Sequence, residues 1–221
     1  MPPPVKPIQR IQANMLARAE RRLLNWLCAR LPAWTTPDQL TSLGLVGALM
    51  VLVGYAGSNF SPEWLWLAIA GFVVHWFGDS LDGSLARFRH IERPRFGYFI
   101  DHSADGLGNL MIVGGLGLSP FVRLDVALIA LAGYYLLSIH AFLAARILGE
   151  LRLSYAAAGP TELRLLLIGM TLLMFFSGHS LPQVDHFTAF DLFVTAVGTI
   201  LILLFVVQTI ATGRRIFREG E

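Results

Sequence analysis

Cysteine, charge and an apolar N-terminal core are what this chain has least of. Its single cysteine, Cys28, permits neither an intrachain disulfide nor a thiolate metal cluster, so nothing about redox compartment follows. Only 14% of residues are charged and 55% are hydrophobic, against about 25% charged in an average soluble domain, and the mean hydropathy is +0.60. An ordinary soluble globule is excluded. The opening MPPPVKPIQR is polar and proline-rich and lacks the apolar core of a signal peptide, so insertion into a membrane has to come from internal segments. Neither a repeat of roughly 20–50 residues nor a low-complexity tract is present.

What the chain does have is apolar runs, at 40–57, 64–77, 107–122, 126–145, 163–176 and 192–210. At roughly 20 residues per crossing these predict an all-α integral membrane protein with six transmembrane helices in one domain, 35–213. Several runs are short because carboxylates sit at their ends, Asp79 and Asp82 after the second, Asp101 and Asp105 before the third, and the helices are expected to continue through them. Turn-rich breaks at 57–62, 118–120 and 177–182 separate the runs on one side. Before them, over 8–31, Ile8, Ile11, Met15, Ala19, Leu23, Trp26 and Leu27 recur every three or four positions among Arg10, Arg18, Arg21, Arg22 and Arg30. That pattern predicts an amphipathic basic helix within an N-terminal surface segment, 1–34, lying in the headgroup layer, or presenting a merely solvated basic face. A basic tail, 214–221, ends the chain.

Charge placement sets orientation. The basic residues before the first run (Lys6 and the five arginines above), between the second and third (Arg87, Arg89, Arg93, Arg95), around the fourth and fifth (Arg146, Arg152, Arg164) and at the end (Arg214, Arg215, Arg218) share one side, and Arg123 alone falls on the other. The positive-inside rule puts both termini and the four aspartates at the cytoplasmic face, where soluble nucleotides are found; a bacterial-type inner membrane is the expected location.

Asp79 and Asp82 are three residues apart and Asp101 and Asp105 four apart, so on helices each pair projects from one face. Consecutive spans joined by a short loop would bring the pairs to one depth. An ionised Asp in a spanning helix costs roughly 2.5–3.5 kcal/mol on insertion scales, and four repel one another, so positive charge has to sit among them. Hard oxygen ligands without thiolates suit Mg²⁺ or Mn²⁺, and two such ions would balance four carboxylates as in two-metal phosphoryl chemistry. The plain alternative is helix caps or boundary charges. Gly83 after Asp82, Ala86 one turn on and Gly97 before Asp101 strip bulk from the acidic faces, and Arg87 offers a guanidinium for phosphate oxygens. Together these describe a pyrophosphate site.

The stretch 77–109, FGDSLDGSLARFRHIERPRFGYFIDHSADGLGN, resembles the signature of the CDP-alcohol phosphotransferase family, D-x-x-D-G-x-x-A-R followed after a short spacer by G-x-x-x-D-x-x-x-D. Asp79, Asp82, Gly83, Ala86, Arg87, Gly97, Asp101 and Asp105 match each fixed position. The resemblance implies that all four aspartates ligate two ions, with Asp105 also a candidate base, that Gly83, Ala86, Arg87 and Gly97 line a CDP site, and that an alcohol attacks the β-phosphorus with release of CMP. Upstream, TTPDQLT at 35–41 is similar to the family's P-N-x-x-T, with Asp38 in place of Asn; Asp38 and Thr41 either touch the nucleotide or belong to a helix start.

Two features resemble the choline/ethanolamine phosphotransferase branch: His102 in D-H-x-x-D, and Gly159-Pro160-Thr161-Glu162 ahead of a later helix. They imply a CDP-amino alcohol donor and a diacylglycerol-like acceptor, with His102 relaying a proton and Glu162 orienting it; otherwise His102 faces outward and Glu162 starts a helix. Arg146, Arg152 and Arg164 argue the other way. They would suit a phosphorylated small alcohol receiving phosphatidyl from CDP-diacylglycerol, or they snorkel to headgroups. His75 and His140 are expected between helices or near the site, and His90, His179 and His186 in loops. Glycines 106, 108, 114, 115 and 117 either close the bundle or form the homodimer contact that the resemblance implies. The expected partners are the CDP-alcohol donor, the alcohol acceptor, the membrane and a second copy of the chain, with no nucleic acid. A divalent-cation transporter is the rival class, but it would want carboxylates at mid-membrane with an exit beyond.

Overall fold

The structure, a computed structural model, describes residues 9–11, 17–152, 159–177 and 187–219. Positions 8 and 12–16 of the expected amphipathic stretch, and His179 and His186, lie outside the described residues. The remainder of that stretch divides. Gln9–Ile11 is a short strand, β1, and Ala17–Cys28 a helix, α1. β1 pairs in parallel with β2, Glu150–Arg152, Gln9 opposite Glu150. Apolar periodicity is local and carries no sign of a ladder partner so far along the chain, which is why it predicts helix at 9–11 where strand is found.

Six long helices follow α1: α2 (Pro37–Gly57), α3 (Trp64–Phe88), α4 (Pro94–Gly117), α5 (Leu124–Leu148), α6 (Pro160–Ser177) and α7 (Ala189–Glu219). Five of the six expected apolar runs lie within one of them; the run 107–122 outlasts its helix, since α4 ends at Gly117 and 118–122 turn toward α5. The helices do continue through the charges: α3 runs past Phe77 to Phe88, and α4 begins at Pro94. Five, namely α2, α3, α5, α6 and α7, are long and apolar enough to cross a membrane; α4, which carries Arg95, Asp101 and Asp105, falls outside that group.

The start of α2 follows from local chemistry. Thr36 caps it, taking the Gln39 N–H on its hydroxyl while the Gln39 side chain accepts from the Thr36 N–H, and Pro37 fills the first helical position. Asp38 is therefore not the cap; it lies within the first turn and pairs with Arg93 from the α3–α4 loop.

α2 is the central post. It packs along α3 and along α4, while α3 and α4 have little backbone contact with each other. The α2–α3 crossing depends on glycine: a Cβ on Gly78 would lie 2.5 Å from the Leu40 carbonyl oxygen, and one on Gly47 2.7 Å from the His75 Cα. On the other side a Cβ on Gly115 would come 2.7 Å from the Leu52 Cα. α5 packs on α4 and α7, and α6 leans on α3. The core between them holds Val51, Tyr55, Leu65, Phe72, Ile112 and Met174, and the Tyr55 hydroxyl meets Thr171 Oγ1 at 2.7 Å. Of the glycines in α4, Gly108, Gly115 and Gly117 are used within the chain, whereas Cβ atoms on Gly106 and Gly114 would meet nothing within 4 Å.

One end of the bundle gathers the α1–α2 and α3–α4 loops. Arg89 donates to the carbonyls of Leu31, Pro32, Ala33 and Thr35, fastening one loop over the other. At the opposite end Asn59 Nδ2 donates to the Leu118 carbonyl at 2.7 Å. There the buried Asp191 carboxylate accepts from the Thr188 N–H at 2.8 Å and the Arg123 N–H at 2.7 Å.

Candidate metal and substrate site

Both acidic pairs lie at the loop-gathered end. α3 and α4 stand apart at the backbone, each held by α2, and their carboxylates reach into the space between. The carboxyls of Asp79 and Asp105 come within hydrogen-bonding reach of each other, and Asp101 is an electrostatic neighbour of Asp82. Spacing along two helices thus does bring the four aspartates together.

Their supports come from other elements. Asp82, only 6% exposed, accepts from the Thr41 hydroxyl of α2 at 2.7 Å and from the Gly83 N–H at 2.5 Å. Thr41, expected at the nucleotide or at the helix start, also reaches the Pro37 carbonyl in the first turn of α2 at 3.2 Å, so one hydroxyl ties the helix start to a carboxylate of the site. Asp79 Oδ2 accepts from Arg164 Nη2 of α6 at 2.5 Å, with side-chain exposures of 23% and 12%. Grouping Arg164 with Arg146 at a basic edge misses this contact; Arg146 is exposed in the last turn of α5, and the side chain of Arg152 lies outside the described residues.

His102 faces inward. Its ring stacks on Phe142 of α5, centroids 5.1 Å apart, and meets Tyr98 at 4.2 Å. Nδ1 lies 3.4 Å from Asp101 Oδ2 and 3.8 Å from Asp105 Oδ2, too far for a good bond, and among the described residues neither ring nitrogen has a hydrogen-bond partner. Buried ring nitrogens left so are costly and point to a ligand or proton donor at this spot. Glu162 Oε2 accepts from the Gly159 N–H at 3.0 Å, the reach of a capping-box carboxylate back to the helix start. Of the remaining nucleotide candidates, Arg87 is exposed and reaches Ser84 Oγ at 3.3 Å. Ala86 lies on the same helix, and a Cβ on Gly97 would meet nothing within 4 Å. His75 is buried on α3 with Nδ1 unpartnered among the described residues, and His140 Nδ1 lies 3.3 Å from Thr209 Oγ1 across α5 and α7.

Sequence reasoning passes over Glu20. Its Oε1 accepts from Trp76 Nε1 of α3 at 2.9 Å and from the Thr161 hydroxyl of α6 at 2.5 Å. The available signal is that Glu20 is the lone acid among the arginines of 8–31.

The donor set fits hard divalent cations. It is all carboxylate and imidazole, without a thiolate, and ligand atoms of Asp101, His102 and Asp105 lie within 4.8 Å of one another. Carboxyls pressed together as Asp79 and Asp105 are need a cation or a proton between them.

Residues 34–212 match the CDP-alcohol phosphatidyltransferase family. A stretch of 103 residues is 34% identical to an archaetidylinositol phosphate synthase of Pyrococcus horikoshii, covering 47% of this chain and 52% of that protein. Another of 106 residues is 32% identical to cholinephosphotransferase 1 of Xenopus laevis, covering 45% of this chain and 26% of the other. A third, of 93 residues, is 38% identical to a phosphatidylinositol phosphate synthase of Cutibacterium acnes, covering 41% of each. The chain thus spans about half the length of the archaeal relative and less of the other two. Because the family match runs from residue 34 to 212, through every helix that shapes the carboxylate cluster, this chain belongs to the CDP-alcohol phosphatidyltransferase family.

Proposed function

We propose that the chain is an integral membrane enzyme of phospholipid synthesis, moving a substituted phosphate from a CDP-alcohol to a hydroxyl acceptor with release of CMP. The observation that carries this is the convergence of Asp79, Asp82, Asp101 and Asp105 from two helices that otherwise stand apart. These four would hold two divalent ions, Mg²⁺ or Mn²⁺, and when bound the ions supply charge neutralisation on the diphosphate and on the departing CMP. The rest falls to the chain. Thr41 and Arg164 fix the rotamers of Asp82 and Asp79. Arg87 grips phosphate oxygens, and the bare backbone at Gly83 and Gly97, with the short Ala86, lets the nucleotide lie close. Asp105 takes the acceptor hydroxyl's proton. All six long helices cross the membrane, with both termini and the site at the cytoplasmic face.

For the donor, the reading best supported is CDP-choline or CDP-ethanolamine with a diacylglycerol-like acceptor, because His102 is turned into the site with both ring nitrogens unpartnered among the described residues. A second reading, phosphatidyl transfer from CDP-diacylglycerol to a phosphorylated small alcohol, draws on Arg164, which brings a guanidinium to the carboxylates. The deciding experiment incubates membranes carrying the chain with CDP-choline, CDP-ethanolamine or CDP-diacylglycerol, each with matched acceptors and Mg²⁺ or Mn²⁺, and measures CMP. Release from one donor assigns the class; no CMP from any would overturn the proposal.

A further inference from the structure

The contacts of Glu20 fall into a pattern with those of Asp79. Trp76 and Asp79 are one turn apart on α3, and Thr161 and Arg164 one turn apart on α6, so each pair lies in one row along its helix. Two rungs therefore join α3 to α6. The lower is direct, Arg164 to Asp79 at 2.5 Å. The upper passes through α1: Trp76 Nε1 at 2.9 Å and the Thr161 hydroxyl at 2.5 Å both donate to the same oxygen, Glu20 Oε1. Thr161 is the second residue of α6, so this rung fixes where the helix begins relative to α3.

We infer that Glu20 is a positioning residue for the acidic site, holding α6 in the register at which Arg164 reaches Asp79; this rests on the two-metal reading above. A hydrogen bond of this length does not survive an ångström of slip, and among the described residues α3 is the long helix against which α6 chiefly packs. Without the upper rung, Arg164 moves off and Asp79 loses the partner that orients it. The bland alternative is that Glu20 only offsets its neighbours Arg21 and Arg22 electrostatically. The two differ in what glutamine does. Glu20→Gln keeps an oxygen that accepts from both donors and loses the charge, whereas Glu20→Ala loses both.

The test measures Mn²⁺ binding to the purified full chain without nucleotide, by the loss of the free-ion electron paramagnetic resonance signal, alongside CMP release. Glu20→Ala is expected to weaken Mn²⁺ binding by about tenfold, the low end for outer-shell partners, and to lower turnover with little change in the KM for the donor; Glu20→Gln stays within about twofold of the parent. Thr161→Val, which leaves the Trp76 bond intact, should repeat the alanine result, and Thr161→Ser should restore it; this pair carries the test if Glu20→Ala does not fold. Parent-like Mn²⁺ binding by Glu20→Ala or Thr161→Val, or equal damage from Glu20→Gln and Glu20→Ala, overturns the inference while the metal reading stands. A parent chain that binds no Mn²⁺ overturns the metal reading and the inference with it.

Discussion

At the scale of single residues, the acidic site shows which partnerships spacing can reveal. The four aspartates are legible because i,i+3 and i,i+4 spacing on a helix dictates a shared face. Thr41 and Arg164 are visible as residue types but not as partners of Asp82 and Asp79, since that pairing is set by how α2 and α6 pack on α3. Asp105→Asn is expected to abolish CMP release while the protein still purifies as a monodisperse species; retained turnover would remove Asp105 from the chemistry. A hydrogen bond to a charged group is worth roughly 1.5–3 kcal/mol, so Thr41→Val should weaken Mn²⁺ binding by about tenfold or more while Thr41→Ser stays near the parent, as titration of the free ion would register. Cys28, 2% exposed against Leu24, Leu40, Leu81 and Leu85, has its thiol pushed up by burial. It should resist maleimide in the folded chain and react on denaturation, as mass spectrometry would show.

At the scale of elements, the helices were readable and their crossings were not. Glycines in α4 draw notice because five fall close together, yet the tightest approach lies between α2 and α3, where Gly44, Gly47, Gly71 and Gly78 are spread over two helices and look unremarkable one by one. Their message is a distance. With Leu40, Gly44 and His75 backbone packed against the bare Cα atoms, α3 rides close enough to α2 for Thr41 to reach Asp82. Gly78→Ala places a methyl 2.5 Å from the Leu40 oxygen, and backbone cannot step aside as a flexible side chain does. Overpacking costs typically about 1–3 kcal/mol, so this variant should lower the melting temperature in detergent by several degrees and take activity with it, since Asp79 is the next residue. Gly114→Ala, with nothing within 4 Å of the added methyl, is the matched control and should melt near the parent; equal melting of the two would show that the α2–α3 crossing is not as tight as described.

At the scale of the whole molecule, the two ends of the bundle differ in kind. Among the described residues, one carries most of the arginines, the aspartate cluster and the Arg89 clamp over the carbonyls of 31–35; the other is closed by Asn59, Thr188 and Asp191, with Arg123 beside them. An even number of crossings returns the chain to the side on which it started, so the count and the sidedness stand or fall together. α4 is the helix on which they turn, since its aspartates and Arg95 keep it outside the five that are apolar enough to span on composition alone. On the six-crossing reading proposed above it spans as well, with its carboxylates toward its start and 108–117 packed against α2 and the start of α5. Reporter fusions after Phe88, within the α3–α4 loop, and after Glu219 should therefore both read as cytoplasmic, and fusions after Ser58 and Leu118 as external, in agreement with the positive-inside rule. A C-terminal reporter on the opposite side from the α3–α4 loop would mean that α4 or one of the three later helices does not cross, and would place the end of α7 on the face away from the aspartates.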